Sequence, residues 1–181
     1  MNTRDLILTV GTELLTEKGY NAFSYADISA RVKIKKASIH YYFPTKTDLG
    51  IAIVESHIDY FEDLKKKQTN LTELKKLQSL GKYYIKLINE KKICIMGTFS
   101  TDVNSIELAL KEKSIEFCQI VIQYTTDILE AGIRNNEFKP IENPNSKAIE
   151  ILSSFMGLAQ MSRIYSRDET TKTILGIINQ L

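Results

Sequence analysis

Residue types that often carry catalytic or metal chemistry are scarce in this 181-residue chain, which has only two histidines and two cysteines. Cys94 and Cys118 stand alone, without CxxC spacing, so a disulfide framework is not expected. His40 and His57 do not have the spacing of a zinc site. We therefore predict no metal and no cofactor.

Long hydrophobic runs are also missing. No uninterrupted apolar stretch approaches the ~18–20 residues that cross a bilayer, and the first residues lack the charged-then-apolar pattern of a signal peptide. Because 43% of the residues are hydrophobic and 25% are charged, the chain has enough apolar material for a packed core. These features predict a folded cytoplasmic protein with no membrane partner.

The net charge of +2 is too small to indicate a nucleic-acid-binding protein, but the charge is unevenly distributed. Residues 1–48 contain seven Lys/Arg and five Asp/Glu, whereas the remainder contains 17 of each. The whole positive excess therefore lies near the N-terminus, as a localised phosphate-binding patch requires.

The spacing of apolar residues is helical nearly throughout, and no strand pattern stands out. Gly19 is a stop signal for the first helix, and two of the three prolines lie in the segment 138–145, which we predict to be a loop. The predicted helices span residues 3–18, 25–32, 36–42, 46–67, 72–89, 93–102, 105–135, 146–166 and 168–180. The pattern predicts an all-α fold with about nine helices.

The segment from Ser24 to Leu49 has the pattern of two short helices joined by a tight turn. Ser24 is a good N-cap, Asp27 follows at a position where a carboxylate interacts favourably with the helix dipole, and Pro44 stops the second helix. No acidic residue falls between Asp27 and Asp48, whereas basic residues occur at Arg31, Lys33, Lys35, Lys36 and Lys46. A compact helix pair with a cationic face is typical of proteins that place one helix in the DNA major groove.

The motifs of this segment resemble those of the TetR/AcrR family of bacterial transcriptional repressors. The resemblance rests on Ala26-Asp27-Ile28-Ser29, on the run from Ala37 to Lys46, and on Leu49. It covers about the first 50 residues, and the rest of the chain is similar only in length and helical layout. The resemblance implies a helix-turn-helix DNA-binding domain at residues 1–46 and a helical ligand-binding and dimerisation domain at residues 47–181. It also implies a homodimer that binds a palindromic operator and a small-molecule inducer.

The resemblance and side-chain chemistry together assign DNA contacts to the helix pair. At the start of its second helix, Lys36 can donate to guanine O6 and N7, and the Ala37 methyl can contact a thymine methyl. The side chains of Ser38, His40 and Tyr41 suit phosphate oxygens, which fix register rather than read sequence. Ser24 and Tyr25 are placed for a phosphate at the N-terminus of the first helix of the pair, and Lys46 adds another phosphate contact. The predicted DNA-contacting residues are Ser24, Tyr25, Lys35, Lys36, Ala37, Ser38, His40, Tyr41 and Lys46. The residues predicted to form the small core are Ile28, Val32, Ile34, Ile39, Tyr42 and Phe43.

Three positions depart from the family pattern. Lys33 occupies a turn position that usually holds glycine, and a left-handed conformation there costs on the order of 1 kcal/mol relative to glycine. Lys35 replaces the usual serine cap. His40 replaces the usual tyrosine, so we expect its phosphate contact to be weaker or sensitive to pH.

The resemblance also implies an inducer pocket and a dimer interface in the larger domain. Ordinary core packing is the alternative for every predicted pocket residue. The predicted pocket residues are Phe61, Tyr83, Tyr84, Leu87, Met96, Phe99, Phe117, Val121, Tyr124 and Phe155. Small residues that permit close helix approach, together with an apolar chain end, predict the dimer interface. Its predicted residues are Ser154, Gly157, Leu158, Ile174, Ile177 and Ile178.

Three other functions are alternatives to the ligand-responsive repressor. A helical enzyme would require a nucleophile with a partnered base or a metal cluster, and the sequence shows neither, so no enzymatic activity is predicted. A protein-interaction module using the helix pair would bind DNA weakly and without preference for palindromes. A redox- or electrophile-sensing regulator would use Cys94, which lies near a predicted helix start and two lysines.

Overall fold

The computed structural model describes residues 2–181, and the regular secondary structure in this range consists of nine α-helices. The prediction of an all-α fold is therefore confirmed. The helices are α1 (Thr3–Lys18), α2 (Tyr25–Val32), α3 (Lys36–Tyr42), α4 (Lys46–Lys67), α5 (Glu73–Glu90), α6 (Ile95–Thr101), α7 (Leu108–Arg134), α8 (Pro144–Met161) and α9 (Arg167–Asn179).

Polar side chains cap most of the helix starts. The Asn2 side chain accepts a hydrogen bond from the Asp5 amide at α1, and Asn143 caps α8 directly before Pro144, which occupies the first helical position. Some ends differ from the predicted ones because turns form there instead. A turn in which the Ser105 amide donates to the Asp102 carbonyl delays the start of α7, and α8 ends at Met161 in a turn rather than continuing to residue 166.

Packing divides the chain into two compact units. The first holds the residues up to Phe61 together with Ile95–Phe117, and the second holds Glu62–Cys94 together with Cys118–Leu181. The boundaries between the units fall inside or at the ends of helices. The division into domains at residues 1–46 and 47–181 stays a prediction.

The core of the first unit lies beneath α2 and α3. Ile28 and Ile39 are fully buried and Phe43 is nearly so, as predicted. Tyr42 is 37% exposed, so its assignment to the core is wrong. Its ring instead lies at the surface, edge-on to the ring of Tyr41 at a centroid distance of 5.1 Å.

In the same unit, the α1–α2 loop contacts the α6–α7 loop. The Asn21 amide donates to a carboxylate oxygen of Asp102 at 3.3 Å, and the Asn21 side-chain amide donates to Ser105 Oγ at 2.7 Å. The ring of Tyr20 packs against that of Phe99 at 5.6 Å. These contacts fix the loop that precedes α2.

The core of the second unit lies between α5, α8 and α9. Tyr84 and Phe155 are buried, with ring centroids 5.5 Å apart. A Cβ atom at Gly81 would lie 2.6 Å from Ile178 Cδ1, so the absence of a side chain on α5 makes room for α9. Ile174 and Ile178 are 0% and 2% exposed within the single chain. Their assignment to the dimer interface is wrong, because both side chains are buried against α5 of the same chain.

Candidate nucleic-acid interface

A capping box fixes the start of α2. Ser24 Oγ accepts a hydrogen bond from the Ala26 amide at 3.2 Å and donates to Asp27 at 2.8 Å, while the Ser24 amide also donates to Asp27 at 2.8 Å. These hydrogen bonds, with Lys18 close by, lower the pKa of Asp27 to about 2. The Ser24 hydroxyl therefore supports its own helix, although the residue remains exposed at the surface.

The turn between α2 and α3 has a left-handed residue at its centre. Lys33 adopts φ 59° and ψ 41°, and its amide donates to the Ser29 carbonyl at 2.9 Å. Ser29 Oγ closes the turn by donating to the Ile34 carbonyl at 2.6 Å. A lysine in this conformation costs on the order of 1 kcal/mol relative to glycine. The turn thus has the geometry predicted for this position without the usual glycine.

The exposed side of α3 carries the chemistry predicted to contact DNA. Lys35, Lys36, Ala37 and His40 are exposed, Ser38 is half-buried, and Tyr41 is 81% exposed. A shallow groove with a volume of about 480 Å³ runs beside this side of the helix. Its lining residues are Thr3, Ile34, Ala37, Ser38, Tyr41 and Tyr42.

The cations of this region differ in whether an acid neutralises them. Arg31 contacts Glu17 at 2.6 Å and Glu13 at 3.8 Å, and Lys18 contacts Asp27 at 3.2 Å. The three lysines of the turn and the start of α3 have no ion pair in the described part of the chain. Uncompensated positive charge is therefore concentrated at Lys33, Lys35 and Lys36.

The hydroxyl of Tyr25 is engaged inside the fold, and the phosphate contact predicted at this helix start stays a prediction. Tyr25 is only 9% exposed, and its hydroxyl lies within hydrogen-bonding distance of the carbonyl oxygens of Phe43 and Thr45. Burial raises the pKa of this hydroxyl. The side chain therefore ties the start of α2 to the segment between α3 and α4.

The ammonium group of Lys46 has partners inside the fold, and its predicted phosphate contact stays a prediction. The ammonium group donates to the carbonyl oxygens of Tyr20 and Phe23 and lies over their two rings, 4.6 and 4.5 Å from the centroids. Burial lowers the pKa of Lys46. The charge holds the α1–α2 loop in place, because two carbonyl groups and two aromatic faces replace its hydration.

His40 is exposed, and the contacts of its ring bear on how it can meet a phosphate. Nδ1 lies 3.1 Å from the Pro44 carbonyl oxygen, and the ring meets that of Tyr25 at 4.8 Å. A proton on Nδ1 satisfies that carbonyl, which leaves Nε2 of a neutral ring as an acceptor only. A hydrogen bond from Nε2 to a phosphate therefore requires the imidazolium form.

The predicted inducer-pocket residues belong to both units. Phe61 and Phe117 lie in the first unit with ring centroids 6.3 Å apart. In the second unit, the Tyr124 hydroxyl donates to Gln68 Oε1 at 2.7 Å, which satisfies a buried polar pair. The remaining predicted residues of the first unit are Met96 and Phe99, and those of the second are Tyr83, Tyr84, Leu87, Val121 and Phe155. A pocket formed by these residues stays a prediction.

The predicted dimer residues other than Ile174 and Ile178 are accessible. Ser154, Leu158 and Ile177 are half-buried, and Gly157 is exposed. Beyond its own helix, no heavy atom of the described residues lies within 4 Å of a Cβ atom built at Gly157. Sequence reasoning missed several apolar side chains that α8 and α9 also expose, because a single sequence does not show which helix face the core leaves open. These are Ile149, Met161 and Leu175.

Cys94 is 3% exposed and lies just before α6. Burial limits the access of oxidants and electrophiles to a thiol, which weighs against the alternative of a Cys94-based sensor. Within residues 2–181 no cluster of His, Cys, Asp or Glu side chains suited to a metal ion is found. No helix in that range combines the length and apolar character needed to span a bilayer.

This chain is similar to known proteins in sequence and in structure. A family model described as "Bacterial regulatory proteins, tetR family" matches residues 7–53. The crystal structure of a TetR transcriptional regulator from Legionella pneumophila is 31% identical, with a TM-score of 0.89, and the match covers 99% of this chain and 97% of that chain.

Two curated regulators are also similar. The transcriptional regulator AcuR of Cereibacter sphaeroides is 36% identical over 58 residues, which is 32% of this chain and 26% of that protein. That match therefore spans about a quarter of the regulator. The HTH-type transcriptional repressor DhaR of Mycobacterium sp. (strain GP1) is 21% identical over 97% of this chain and 89% of its own length.

Proposed function

We propose that this chain, which belongs to the TetR family of bacterial regulatory proteins, is a homodimeric repressor. A small-molecule inducer would release it from a palindromic operator. DNA binding through a helix-turn-helix and regulation of transcription come with the family. Repression, dimerisation and release by an inducer are the proposed part. The similarity to DhaR, which is named as a repressor, supports repression rather than activation.

The observation that carries the proposal is the uncompensated charge beside the exposed start of α3. Lys36 and Ala37 stand at the end of the helix that reaches base edges when such a helix enters the major groove. Ser38, His40 and Tyr41 follow on the same short helix and would contact phosphates. Lys35 precedes them, and the exposed Ser24 remains a further candidate for a phosphate contact.

Dimerisation would place two copies of α3 in successive major grooves, ~34 Å apart along the DNA. The proposed interface consists of the accessible residues of α8 and α9: Ser154, Gly157, Leu158 and Ile177. Exposed apolar side chains on the same two helices support this choice, since a partner would cover them.

An inducer would act by favouring a conformation in which the two copies of α3 no longer match successive grooves. Its effect is limited to the difference between its affinities for the two conformations. We assign the inducer to the domain of residues 47–181 and DNA binding to residues 1–46. The proposed pocket residues are the ten predicted from the sequence.

The test is fluorescence anisotropy with labelled duplexes that tile the DNA upstream of the protein's own gene, compared with scrambled duplexes across a salt series. We expect one upstream duplex to be preferred, with the logarithm of affinity falling linearly with the logarithm of salt concentration. Lys36→Ala should reduce the preference by the ~1–3 kcal/mol that a good base contact contributes. Lys82→Ala, at an exposed lysine of α5, is the matched control and should change neither quantity.

Equal and weak binding to upstream and scrambled duplexes would contradict the proposal. It would favour a protein-interaction role for the helix pair, since that role requires no sequence preference. A preference that survives Lys36→Ala unchanged would keep the regulator but remove Lys36 from base recognition.

A further inference from the structure

The groove beside α3 is not formed by the helix-turn-helix alone. Five of its lining residues come from the α2–α3 turn and α3, but Thr3 comes from the first turn of α1. Ala37, which is placed to contact bases, and Thr3 therefore border the same depression. The start of α1 adjoins the surface proposed to meet DNA, at a site that no motif of the sequence indicates.

The residue after Thr3 brings a positive charge close to the C-terminal end of α3. The Arg4 guanidinium lies 5.1 Å from the ring centroid of Phe43, the buried residue that directly follows α3. Arg4 is exposed and has no ion pair in the described part of the chain. The cation–π contact orients the guanidinium beside α3, and one face and the edges of the group remain available for another ligand.

The polar groups around Arg4 are largely occupied. The Asn2 side chain accepts from the Asp5 amide, and the Asn2 carbonyl accepts from the Leu6 amide at 3.1 Å. The carboxylate of Asp5 makes no ion pair with Arg4. The guanidinium and the Thr3 hydroxyl are side-chain groups of this turn that can donate to an incoming anion.

The shape of DNA determines which anion that is. A helix in the major groove has a sugar-phosphate strand along each of its sides, because the groove is only ~12 Å wide. On the α1 side of α3, the groove and the residues that border it are in position to receive such a strand. Arginine suits phosphate oxygens because it can donate two parallel hydrogen bonds.

We propose that Thr3 and Arg4 bind the DNA sugar-phosphate strand that flanks the base pairs read by α3. This assignment rests on the proposed function and extends the DNA-binding surface from the helix pair to the first turn of α1. The contact adds affinity and register without reading sequence, since it involves phosphate rather than base edges.

The test compares wild type, Arg4→Gln and Arg4→Lys on the preferred upstream duplex and on its scrambled form. Arg4→Gln should weaken binding to both duplexes by about tenfold near 0.1 M salt, and should reduce the slope of log affinity against log salt by about two per dimer. Arg4→Lys keeps the charge and should keep the slope. Phosphate-ethylation interference supplies the positional readout. Ethylation of the phosphates that border each half-site on one side should no longer interfere with the binding of Arg4→Gln. The same ethylation should interfere more weakly with the binding of Thr3→Val than with that of wild type.

A role of Arg4 in packing alone would leave the salt slope and the interference pattern of Arg4→Gln identical to wild type, and that outcome would overturn the assignment. Thermal unfolding of each variant checks that the compared proteins are folded. Should wild type itself show no preference among the duplexes, the proposed function fails. Should wild type be selective while Arg4→Gln keeps the full slope, only the Thr3–Arg4 assignment fails.

Discussion

At the scale of single residues, the lysines near α3 show that surroundings rather than residue type decide function. Lys36 has an exposed, unpaired ammonium group, and Lys46 directs its ammonium group to two backbone carbonyls. Lys33 contributes a charge to the surface but has a backbone conformation that suits glycine better. Within one short segment, lysine therefore occupies an exposed surface that we propose to meet DNA, a packed loop and a strained turn.

The turn residue gives a prediction about stability. Lys33→Gly should raise the free energy of unfolding by about 1 kcal/mol, because glycine adopts φ 59° without steric cost. Urea unfolding followed by circular dichroism measures the change. Lys35→Gly is the control, since Lys35 has φ −70° and glycine there should lower stability by about 0.5–1 kcal/mol. An unchanged or lower midpoint for Lys33→Gly would contradict the prediction.

The capping box gives a prediction about acid. The pKa of Asp27 is lowered from 3.8 to about 2 in the folded chain, so its stabilising contribution is complete above the unfolded pKa and is lost as the pH falls towards 2. Asp27→Asn should therefore reduce the loss of stability between about pH 4 and pH 2. Urea midpoints at a series of pH values test this. Asp59→Asn, at an exposed carboxylate of α4, should keep the wild-type pH dependence.

At the scale of elements, the helix pair is held by contacts from outside itself. The Tyr25 hydroxyl meets the segment after α3, and Lys46 at the start of α4 holds the α1–α2 loop. Asn21 joins the same loop to the α6–α7 loop through Asp102 and Ser105. The position of α2 and α3 therefore depends on α1, α4 and the segment around α6.

The role of Lys46 can be separated from DNA binding. Lys46→Met keeps most of the side-chain length but leaves the carbonyls of Tyr20 and Phe23 without their charged donor, so we expect about 2 kcal/mol of lost stability. Lys36→Ala should leave stability unchanged and weaken DNA binding. Thermal unfolding and anisotropy on the same preparations give the comparison. Wild-type stability with weakened DNA binding in Lys46→Met would instead favour a direct phosphate contact by Lys46.

At the scale of the whole molecule, the apolar side chains left exposed on α8 and α9 support the proposed dimer, because a partner chain would cover them. Gly157 lies among them and has open space around it within the chain. A glycine inside a helix costs about 1 kcal/mol relative to alanine, so the position favours a close approach over helix stability.

Gly157→Arg tests the proposed dimer. The substitution should stabilise α8 within a monomer by up to about 1 kcal/mol, because arginine has a higher helix propensity than glycine. It should also weaken self-association, because a long charged side chain prevents close packing. Sedimentation velocity should show a shift towards monomer, with Asn89→Arg on α5 as the control. Unchanged association would place the dimer interface elsewhere.

The amino-acid sequence determined most of the helices and their ends, because capping residues, apolar spacing and prolines act over a few neighbouring positions. Ser24, Asp27 and the short turn at Lys33 follow from such local rules, and so does the exposed basic start of α3. The family motifs lie in the same short segment, so they could be recognised without knowledge of the rest of the fold.

Only the tertiary structure decided which polar groups of that segment face outwards. Tyr25 meets carbonyls 18 and 20 positions away, and Lys46 meets carbonyls 26 and 23 positions away. The apolar spacing of α9 showed that one face is buried but not whether α5 or a partner covers it, and the packing of Ile174 and Ile178 at Gly81 settles that choice. Thr3 and Arg4 reach α3 across the fold in the same way. These pairings join distant positions, so local sequence patterns carry no signal for them.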